Sequence, residues 1–317
     1  MTALRYGILS TSSIAPRFIA ALREAGAGEI VAVSSRTIEK ARQKASQWNI
    51  PVAYGSHEEL LADKQVNIVY ISAVNSQHYS LAKLALLAGK HVICEKPCTT
   101  SSEDTLQLFA LARDKGLFLM EAQKMLFLPT ITEVKRRISA GDLGKVFMVE
   151  MSQSFSPGYN VWQFDKSLGG GTLLSSGIYG VELLLWLFGD IKEIAGACSV
   201  VEGGAEDQYV LSGKMEKDIL FSIKNSTRIT LDNTARIYGT DGYIEIPEYW
   251  KARRAIIYRN GEEPLQIAYP CEFELKYEAI HIAECISKGL LTSPVVTEAL
   301  TVSGILSLEK VLRHWEV

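Results

Sequence analysis

The sequence predicts an α/β protein whose first half is a doubly wound parallel sheet and whose second half is α+β with a mostly antiparallel sheet. At 317 residues the chain exceeds the usual size of a single hydrophobic core. Short β-branched runs alternate with helical stretches from Leu4 to about Glu121, whereas strand-like runs joined by short turns dominate after Pro129. We therefore predict two domains, residues 1–124 and 125–317.

The strands of the first half are predicted from apolar runs without polar alternation. Such runs are typical of parallel strands that crossover helices bury on both faces. The predicted strands and helices, in chain order, are Tyr6–Leu9, Ala15–Ala25, Ile30–Val33, Ile38–Trp48, Val52–Tyr54, Glu58–Ala62, Ile68–Ile71, Tyr79–Leu87 and His91–Cys94.

The second half is predicted to contain antiparallel strands because its segments are short and joined by polar or Gly-containing turns. Helices are predicted over Ile131–Ser139, Thr172–Phe188, Tyr277–Lys288 and Val296–Leu312. The predicted strands are Val146–Met151, Ile194–Val200, Gln208–Met215, Ile219–Lys224, Ser226–Leu231, Ala235–Tyr238, Tyr243–Ile246 and Ala255–Tyr258.

Composition excludes several classes of partner. A formal charge of −3 supplies no broad basic surface for nucleic acid or anionic lipid. Five scattered cysteines without a C-x-x-C pair argue against a disulfide framework or a zinc site, and no secretion signal is visible at the start. The most apolar helical run, Val181–Phe188, is too short to span a bilayer. We expect a cytoplasmic protein that binds small molecules and no metal.

The loop after the first strand has the position of a dinucleotide-binding loop but lacks its usual glycines. It reads S-x-S-x-x-A in place of G-x-G-x-x-G or -A. A Ser-rich strand-to-helix loop with a helix cap is the structural alternative. Strand, loop and helix nevertheless come in the order that places pyrophosphate at the helix N-terminus. The predicted phosphate-binding residues are Ser10, Thr11, Ser12, Ser13 and Ile14.

The end of the second strand favours NADP(H) over NAD(H), although NAD(H) stays possible. An acidic residue there would hold the ribose 2′-hydroxyl of NAD, but this chain has Ser35 and Arg36. Ser35 can donate to a 2′-phosphate, and Arg36 can pair with it and stack on adenine. The alternative for Arg36 is a solvated residue at a helix start.

Further candidates follow three other strands, at the carboxyl edge where open parallel sheets bind ligands. Lys96 lies between Glu95 and Pro97 directly after a buried strand, a position where simple packing would place no charge. A surface salt bridge is its structural alternative. With Glu95 and Lys96, the predicted cofactor-binding residues at these ends are Ala73, Val74, Asn75, His78 and Gln123.

Taken together, these features resemble the glucose-fructose oxidoreductase/inositol dehydrogenase (Gfo/Idh/MocA) family, especially its dihydrodiol dehydrogenase and D-xylose dehydrogenase-like branch. The resemblance spans nearly the whole chain. Its most specific segment is Ala88–Pro97, and other matching segments are Phe118–Ala122, Gly169–Gly171, Gly177–Tyr179 and Ile237–Gly242.

The resemblance implies an N-terminal Rossmann domain, a C-terminal domain with a large open sheet, and homodimers or higher oligomers through that sheet. It implies hydride transfer between NAD(P) and a carbinol or carbonyl carbon of a sugar, polyol or trans-diol. Lys96 and Tyr179 match the family's catalytic Lys and Tyr. An ammonium beside a phenol lowers the phenol's pKa and lets it take the hydroxyl proton near neutral pH. From spacing alone, Tyr179 would be a packing aromatic.

The chain departs from the family pattern where relatives carry an Asp four residues before the catalytic residue, because it has Ser175. A Ser there supplies no negative charge, so a nucleotide sensor that binds NADP(H) without turnover is the alternative to an enzyme. Phe155, Tyr159 and Phe164 can either stack on a substrate ring or anchor a loop. Among these loop aromatics, Trp162 is the one that we predict to contact substrate, together with Tyr179.

Overall fold

The computed structural model describes residues 3–155, 161–202 and 204–315, and the chain divides into two compact units. The first unit comprises Met1–Gln123 and Phe273–Val302, and the second comprises Lys124–Glu272 and Ser303–Val317. This division differs from residues 1–124 and 125–317, because a late segment returns to the first unit. The return has a packing reason: Glu274 forms an ion pair with Arg17, and the helix after Glu274 packs on the first helix of the chain.

The first unit is built on a six-stranded parallel sheet with the strand order β3-β2-β1-β4-β5-β6. The order reverses between β1 and β4, which is the switch point where doubly wound sheets bind ligands. Apolar residues fill both faces of the central strands, as the continuous apolar runs predict. The strands are β1 Arg5–Leu9, β2 Glu29–Ser34, β3 Val52–Tyr54, β4 Ile68–Ile71, β5 His91–Glu95 and β6 Leu119–Ala122.

Helices cover both faces of this sheet, and two of them, α1 and α2, match their predicted bounds to the residue. Local chemistry explains such boundaries: α2 begins after Thr37, whose hydroxyl accepts from Lys40 N, and α1 ends at the left-handed Gly26. The helices up to Gln123 are α1 Ala15–Ala25, α2 Ile38–Trp48, α3 His57–Ala62, α4 His78–Leu87 and α5 Ser102–Lys115.

The second unit contains an eight-stranded sheet with the order β14-β13-β12-β11-β7-β10-β9-β8. All neighbouring pairs are antiparallel except β7 and β10, which run parallel at its centre. The strands are β7 Val146–Ser154, β8 Ile191–Val200, β9 Glu206–Met215, β10 Leu220–Ser226, β11 Thr234–Gly239, β12 Gly242–Pro247, β13 Arg254–Arg259 and β14 Leu265–Ala268.

One strand prediction for this sheet is wrong, and one strand of the sheet was missed. The predicted strand Ser226–Leu231 is not formed: Ser226 ends β10, and the residues after it are a loop, because the Ser226 hydroxyl accepts from the backbone N–H groups of Arg228 and Ile229 and turns the chain. The short edge strand β14 was not predicted. It pairs with β13 alone, and its exposed side chains give it no buried apolar pattern.

The helix predicted over Thr172–Phe188 begins as a π-helical turn, Leu173–Gly177, and continues as the α-helix α7. Lys166–Phe188 is long and apolar enough to cross a membrane by length and composition alone, but 89% of its most apolar window is buried inside the protein, as in a core helix. The remaining bounds are α6 Pro129–Ser139, α7 Ile178–Phe188, α8 Lys276–Ser287 and α9 Glu298–Leu312, with α9 crossing the boundary between the units.

Candidate active site

The loop between β1 and α1 has a backbone and side chains that fit a phosphate group. Ser10 has φ of 92°, a left-handed conformation that glycine adopts most readily, so the serine occupies a tight turn. The Ser12 hydroxyl is buried and has no hydrogen-bond partner in the part of the chain that the structure describes. Pro16 lies in the first turn of α1, where it offers no N–H, and Arg17 N already donates to Ile14 O. The positive end of the helix dipole at this start still favours an anion.

The residues at the carboxyl end of β2, Ser34 to Arg36, include one cation and no carboxylate. Ser35 is buried and its N–H donates to Tyr54 O, whereas Arg36 is exposed. His57, which the sequence analysis missed, contacts the Ser34 hydroxyl at 2.8 Å. Burial lowers the pKa of His57, Glu58 opposes this shift, and Arg36 adds to it. Arg36 is therefore the cation available at neutral pH for a 2′-phosphate.

His78, the first residue of α4, is buried between two backbone carbonyls. Its Nδ1 lies 2.8 Å from Pro97 O and its Nε2 lies 3.1 Å from Ala73 O. Burial lowers the pKa of His78, and a neutral ring donates to only one of these oxygens. We assign the donated bond to Pro97 at the shorter distance. The ring thus fixes the carbonyl group of Pro97, the residue after Lys96, and a direct contact of His78 with a cofactor stays a prediction.

The backbone around Lys96 is held on both sides. On one side, Tyr70 Oη donates to Glu95 Oε1 at 2.5 Å, and the Tyr70 ring stacks on Phe18. On the other side, Cys98 N donates to Glu121 Oε1 at 2.7 Å, with Glu121 fully buried. These contacts fix the position of the backbone from which the Lys96 side chain extends.

The strand order gathers the predicted cofactor residues at one edge of the first unit. Because β1, β4, β5 and β6 are neighbours in the sheet, their carboxyl ends lie side by side. Ala73 and Val74 are half-buried, and Asn75 is buried at the start of a short 3-10 turn. Gln123 is fully buried directly after β6. Their contacts with a dinucleotide stay predictions, although their common location is the one that this chemistry requires.

Tyr179 lies in the second unit, buried in the first turn of α7. Lys124 Nζ lies 5.6 Å from the centroid of the Tyr179 ring, within cation–π range. Lys124 is itself buried and was missed by the sequence analysis. Its position directly after the candidate Gln123 was the signal that could have found it. The second unit therefore places an ammonium group beside the predicted catalytic phenol.

The turn before Tyr179 is organised by Glu206, a second residue that the sequence analysis missed. The buried Glu206 carboxylate accepts from Leu173 N at 2.9 Å, and burial raises the pKa of this carboxyl. A Cβ at Gly171, which has φ of 111°, would collide with the same carboxylate. Gly171 is therefore required by packing within the second unit. Ser175 donates its hydroxyl to Gly171 O at 2.6 Å and carries no charge.

The predicted aromatic candidates divide into three cases. Phe155 packs against Trp250, with ring centroids 5.8 Å apart, as expected for a loop anchor. Trp162 and Phe164 are both half-buried in a 3-10 turn, Val161–Phe164, and the contact of Trp162 with substrate stays a prediction. Tyr159 lies outside the described residues. Within the described ranges, no group of three His, Cys, Asp or Glu residues is placed to hold a metal ion.

Two family models match the chain. Residues 4–123 match the GFO/IDH/MocA oxidoreductase family with its NAD-binding Rossmann fold, and residues 131–245 match the GFO/IDH/MocA C-terminal domain. The chain belongs to the GFO/IDH/MocA family. The resemblance inferred from the sequence motifs is thereby confirmed, and the chain is an NAD(P)-dependent oxidoreductase of this family.

Similar proteins of the GFO/IDH/MocA family include trans-1,2-dihydrobenzene-1,2-diol dehydrogenases. The mouse protein is 34% identical over 93% of this chain and 91% of its own length, and the human protein is 32% identical over the same shares. The 3-ketoreductase KijD10 from Actinomadura kijaniata, solved with NADP and TDP-benzene, has a TM-score of 0.91 at 21% identity over 98% of each chain.

A second solved structure, the aldose-aldose oxidoreductase from Caulobacter crescentus with glycerol, has a TM-score of 0.89 at 24% identity. The match covers 98% of this chain and 97% of that one. These likenesses confirm the predicted fold class, a parallel sheet followed by a mostly antiparallel one.

Proposed function

We propose that the protein is an NADP(H)-dependent dehydrogenase or reductase that acts on a carbinol or carbonyl carbon of a sugar, polyol or trans-diol. The observation that carries the proposal is the position of Lys96, at the ligand-binding edge of the parallel sheet with its backbone fixed by Glu95 and Glu121 contacts. Family membership and the dihydrodiol dehydrogenases among its relatives support the same class of substrate.

Lys96 and Tyr179 are the proposed catalytic residues. Bound NADP+ supplies the hydride acceptor for a carbinol carbon. Tyr179 takes the hydroxyl proton as the general base and returns it in the reverse direction. Lys96 donates a hydrogen bond to the substrate oxygen and stabilises the negative charge that develops there. Lys124, beside the Tyr179 ring, adds positive charge near the phenol and favours its ionised form.

The proposed preference for NADP(H) rests on the end of β2. Arg36 is exposed and charged, Ser35 offers no carboxylate, and the neighbouring His57 has a pKa lowered by burial. A 2′-phosphate would meet a cation instead of a repelling acid. Ser12, with its unpartnered buried hydroxyl among the described residues, is the proposed donor to the pyrophosphate.

A catalytically silent NADP(H)-binding regulator is the second candidate. It is favoured by Ser175, whose hydroxyl donates to Gly171 O and which brings no carboxylate to the site. A panel of sugars, polyols and trans-diols with NADP+, followed at the NADPH absorbance, separates the two functions. Turnover with at least one compound supports the enzyme, whereas NADPH binding in calorimetry without any turnover supports the regulator.

We also propose a homodimer, formed through the face of the eight-stranded sheet opposite α7. Three exposed apolar residues lie on this face, Met148, Val210 and Leu220. Light scattering at micromolar concentration should report at least twice the mass of one chain, and a monomer would contradict the proposal. A cytoplasmic location is compatible with the five cysteines, all of which are free thiols.

A further inference from the structure

Two amide side chains are buried next to each other at the centre of the eight-stranded sheet. Gln153 on β7 and Asn225 on β10 are partners in register, and they are 1% and 2% exposed. Strand alternation places Gln153 on the face of Met151, and Asn225 on the face of Ile223. Both of these apolar neighbours lie against α7, at Gly180. The two amides therefore lie on the helix-covered face.

The hydrogen-bonding capacity of these amides is largely unused. Neither the nitrogen nor the oxygen of the Asn225 amide has a partner within the described residues, and the same holds for Gln153 Nε2. Gln153 Oε1 accepts only a long bond of 3.4 Å from Tyr249 Oη, and burial raises the pKa of this tyrosine, which keeps it a donor. Buried amides are nearly always paired, so these call for a partner that arrives from outside.

The amides lie in the same part of the second unit as Tyr179. The residue after Tyr179, Gly180, contacts Ile223 of β10. Asn225 is two residues further along that strand, roughly 7 Å from Ile223. Gly177, two residues before Tyr179, lies against the hydroxyl of Tyr209, which pairs with Asn225 in register.

The opposite side of this region leads back to the same tyrosine. Lys124 lies beside the Tyr179 ring and begins a 3-10 turn, Lys124–Phe127, that contacts the turn Tyr249–Lys251. Tyr249 in turn contacts Gln153. Residues next to Tyr179 and residues next to the two amides are therefore in contact on both sides of this region.

We propose that Gln153 and Asn225 bind hydroxyl groups of the substrate and make the protein selective for a polyhydroxylated sugar or polyol over an apolar ring that carries only the reacting diol. This inference rests on the proposed function and narrows its substrate class. An amide offers two donors and an acceptor, which match a hydroxyl that both donates and accepts. A substrate without additional hydroxyls would leave these buried amides unpaired, and such sites discriminate strongly.

The test compares D-xylose with trans-1,2-cyclohexanediol in the intact protein and in Asn225→Leu and Gln153→Leu variants. We expect the intact protein to have the higher kcat/KM for D-xylose. Each leucine should lower kcat/KM for D-xylose about tenfold, the effect of one lost hydrogen bond, while kcat/KM for the cyclohexanediol is unchanged or rises. A double variant that carries both leucines completes the test. If its ratio of kcat/KM for D-xylose to kcat/KM for the cyclohexanediol stays within twofold of the intact protein's ratio, the inference is overturned.

Gln208→Leu is the matched control, because Gln208 is an amide on the neighbouring β9 whose groups already bond Ser199 and Ser226. Its loss should reduce resistance to denaturant without changing the ratio of the two kcat/KM values. Asn225→Leu should leave that resistance equal or raise it, since it removes unpaired polar atoms. A fall in resistance as large as that of Gln208→Leu would show that Asn225 is a structural residue, and would also overturn the inference.

Calorimetric titration with D-xylose in the presence of NADPH separates this inference from the proposed function. If no compound is turned over, the proposed function fails. The inference is still supported if the intact protein binds D-xylose and Asn225→Leu does not, and it is overturned if the two bind D-xylose equally or neither binds it.

Discussion

Near each of the two proposed catalytic residues, a buried carboxylate accepts a hydrogen bond from a backbone N–H, but the two carboxylates come from different kinds of sheet. Beside Lys96, the buried Glu121 accepts from Cys98 N; before Tyr179, the buried Glu206 accepts from Leu173 N. Each carboxylate fixes a backbone N–H close to the catalytic side chain. Glu121 comes from the adjacent parallel strand, whereas Glu206 begins β9, 33 residues from the N–H that it binds.

This difference shows that the order of strands in a parallel sheet is enough to bring site residues together in the first unit, but not in the second. In the first unit, every strand end faces the same edge, so neighbouring ends in the sheet automatically bring their polar residues together. In the second unit, Tyr179 depends on a sheet in which parallel and antiparallel neighbours mix, and on a π-helical turn capped from that sheet. We expect the two regions to differ also in what they contribute to the reaction.

The largest expected effect is that of Tyr179→Phe. If the second unit supplies the proton transfer, the variant should lose about 100-fold or more in turnover while NADP(H) affinity measured by calorimetry stays nearly unchanged. Lys96→Ala in the first unit should weaken both. A Tyr179→Phe variant with normal turnover on the best substrate would remove the assignment of the general base and leave the regulator or another proton donor as the better account.

Arg36→Ala tests the contribution of the first unit to cofactor choice. We expect NADP(H) to bind the intact protein more tightly than NAD(H), and the variant to lose about 1 to 3 kcal/mol of that difference, as for a charge-assisted contact. NAD(H) affinity should change little, which serves as the internal control. Equal affinities for the two cofactors in the intact protein would contradict the proposed preference.

The same contrast explains what could be predicted from the sequence. The bounds of α1 and α2 follow from local signals such as Thr37 and Gly26, and the edge with Lys96 follows from strand order. Three residues were missed because their roles depend on partners that are distant in sequence: Gln153, Asn225 and Glu206. Lys124 was missed although it directly follows the candidate Gln123. The parallel pairing of β7 with β10, which brings the two amides together, has no signature in local periodicity.

Lys124→Met tests whether the second unit has its own electrostatic device. Methionine keeps most of the side-chain volume beside the Tyr179 ring but removes the ammonium. Because a nearby cation favours a phenolate, we expect kcat/KM at pH 7 to fall about tenfold and the pH–rate profile to move to higher pH. If kcat/KM of the variant recovers at higher pH, Lys124 acts through its charge. An equal loss of kcat/KM at every pH would indicate a packing role for Lys124 instead.

The smallest effects are expected for Glu206→Gln and Glu121→Gln, which compare the two carboxylates. Glutamine keeps an oxygen that can accept from Leu173 N or Cys98 N, so both variants should fold and retain most activity. They should differ from Glu206→Ala, which leaves the Leu173 N–H unpaired and should lower the free energy of unfolding by about 1 to 3 kcal/mol.

The pH dependence of Glu206→Gln gives the sharpest test of that carboxylate. Burial raises the pKa of Glu206 in the folded protein, so the folded state binds the proton more tightly than the unfolded chain does. Its ionisation therefore lowers stability as pH rises from the unfolded value of about 4.3 through the higher folded value. Relative to the intact protein, Glu206→Gln should gain stability across that window, on the order of 1 kcal/mol. Denaturant unfolding of both proteins at several pH values measures this gain. If the variant instead becomes less stable than the intact protein as pH rises, the ionised carboxylate is the form that the fold prefers.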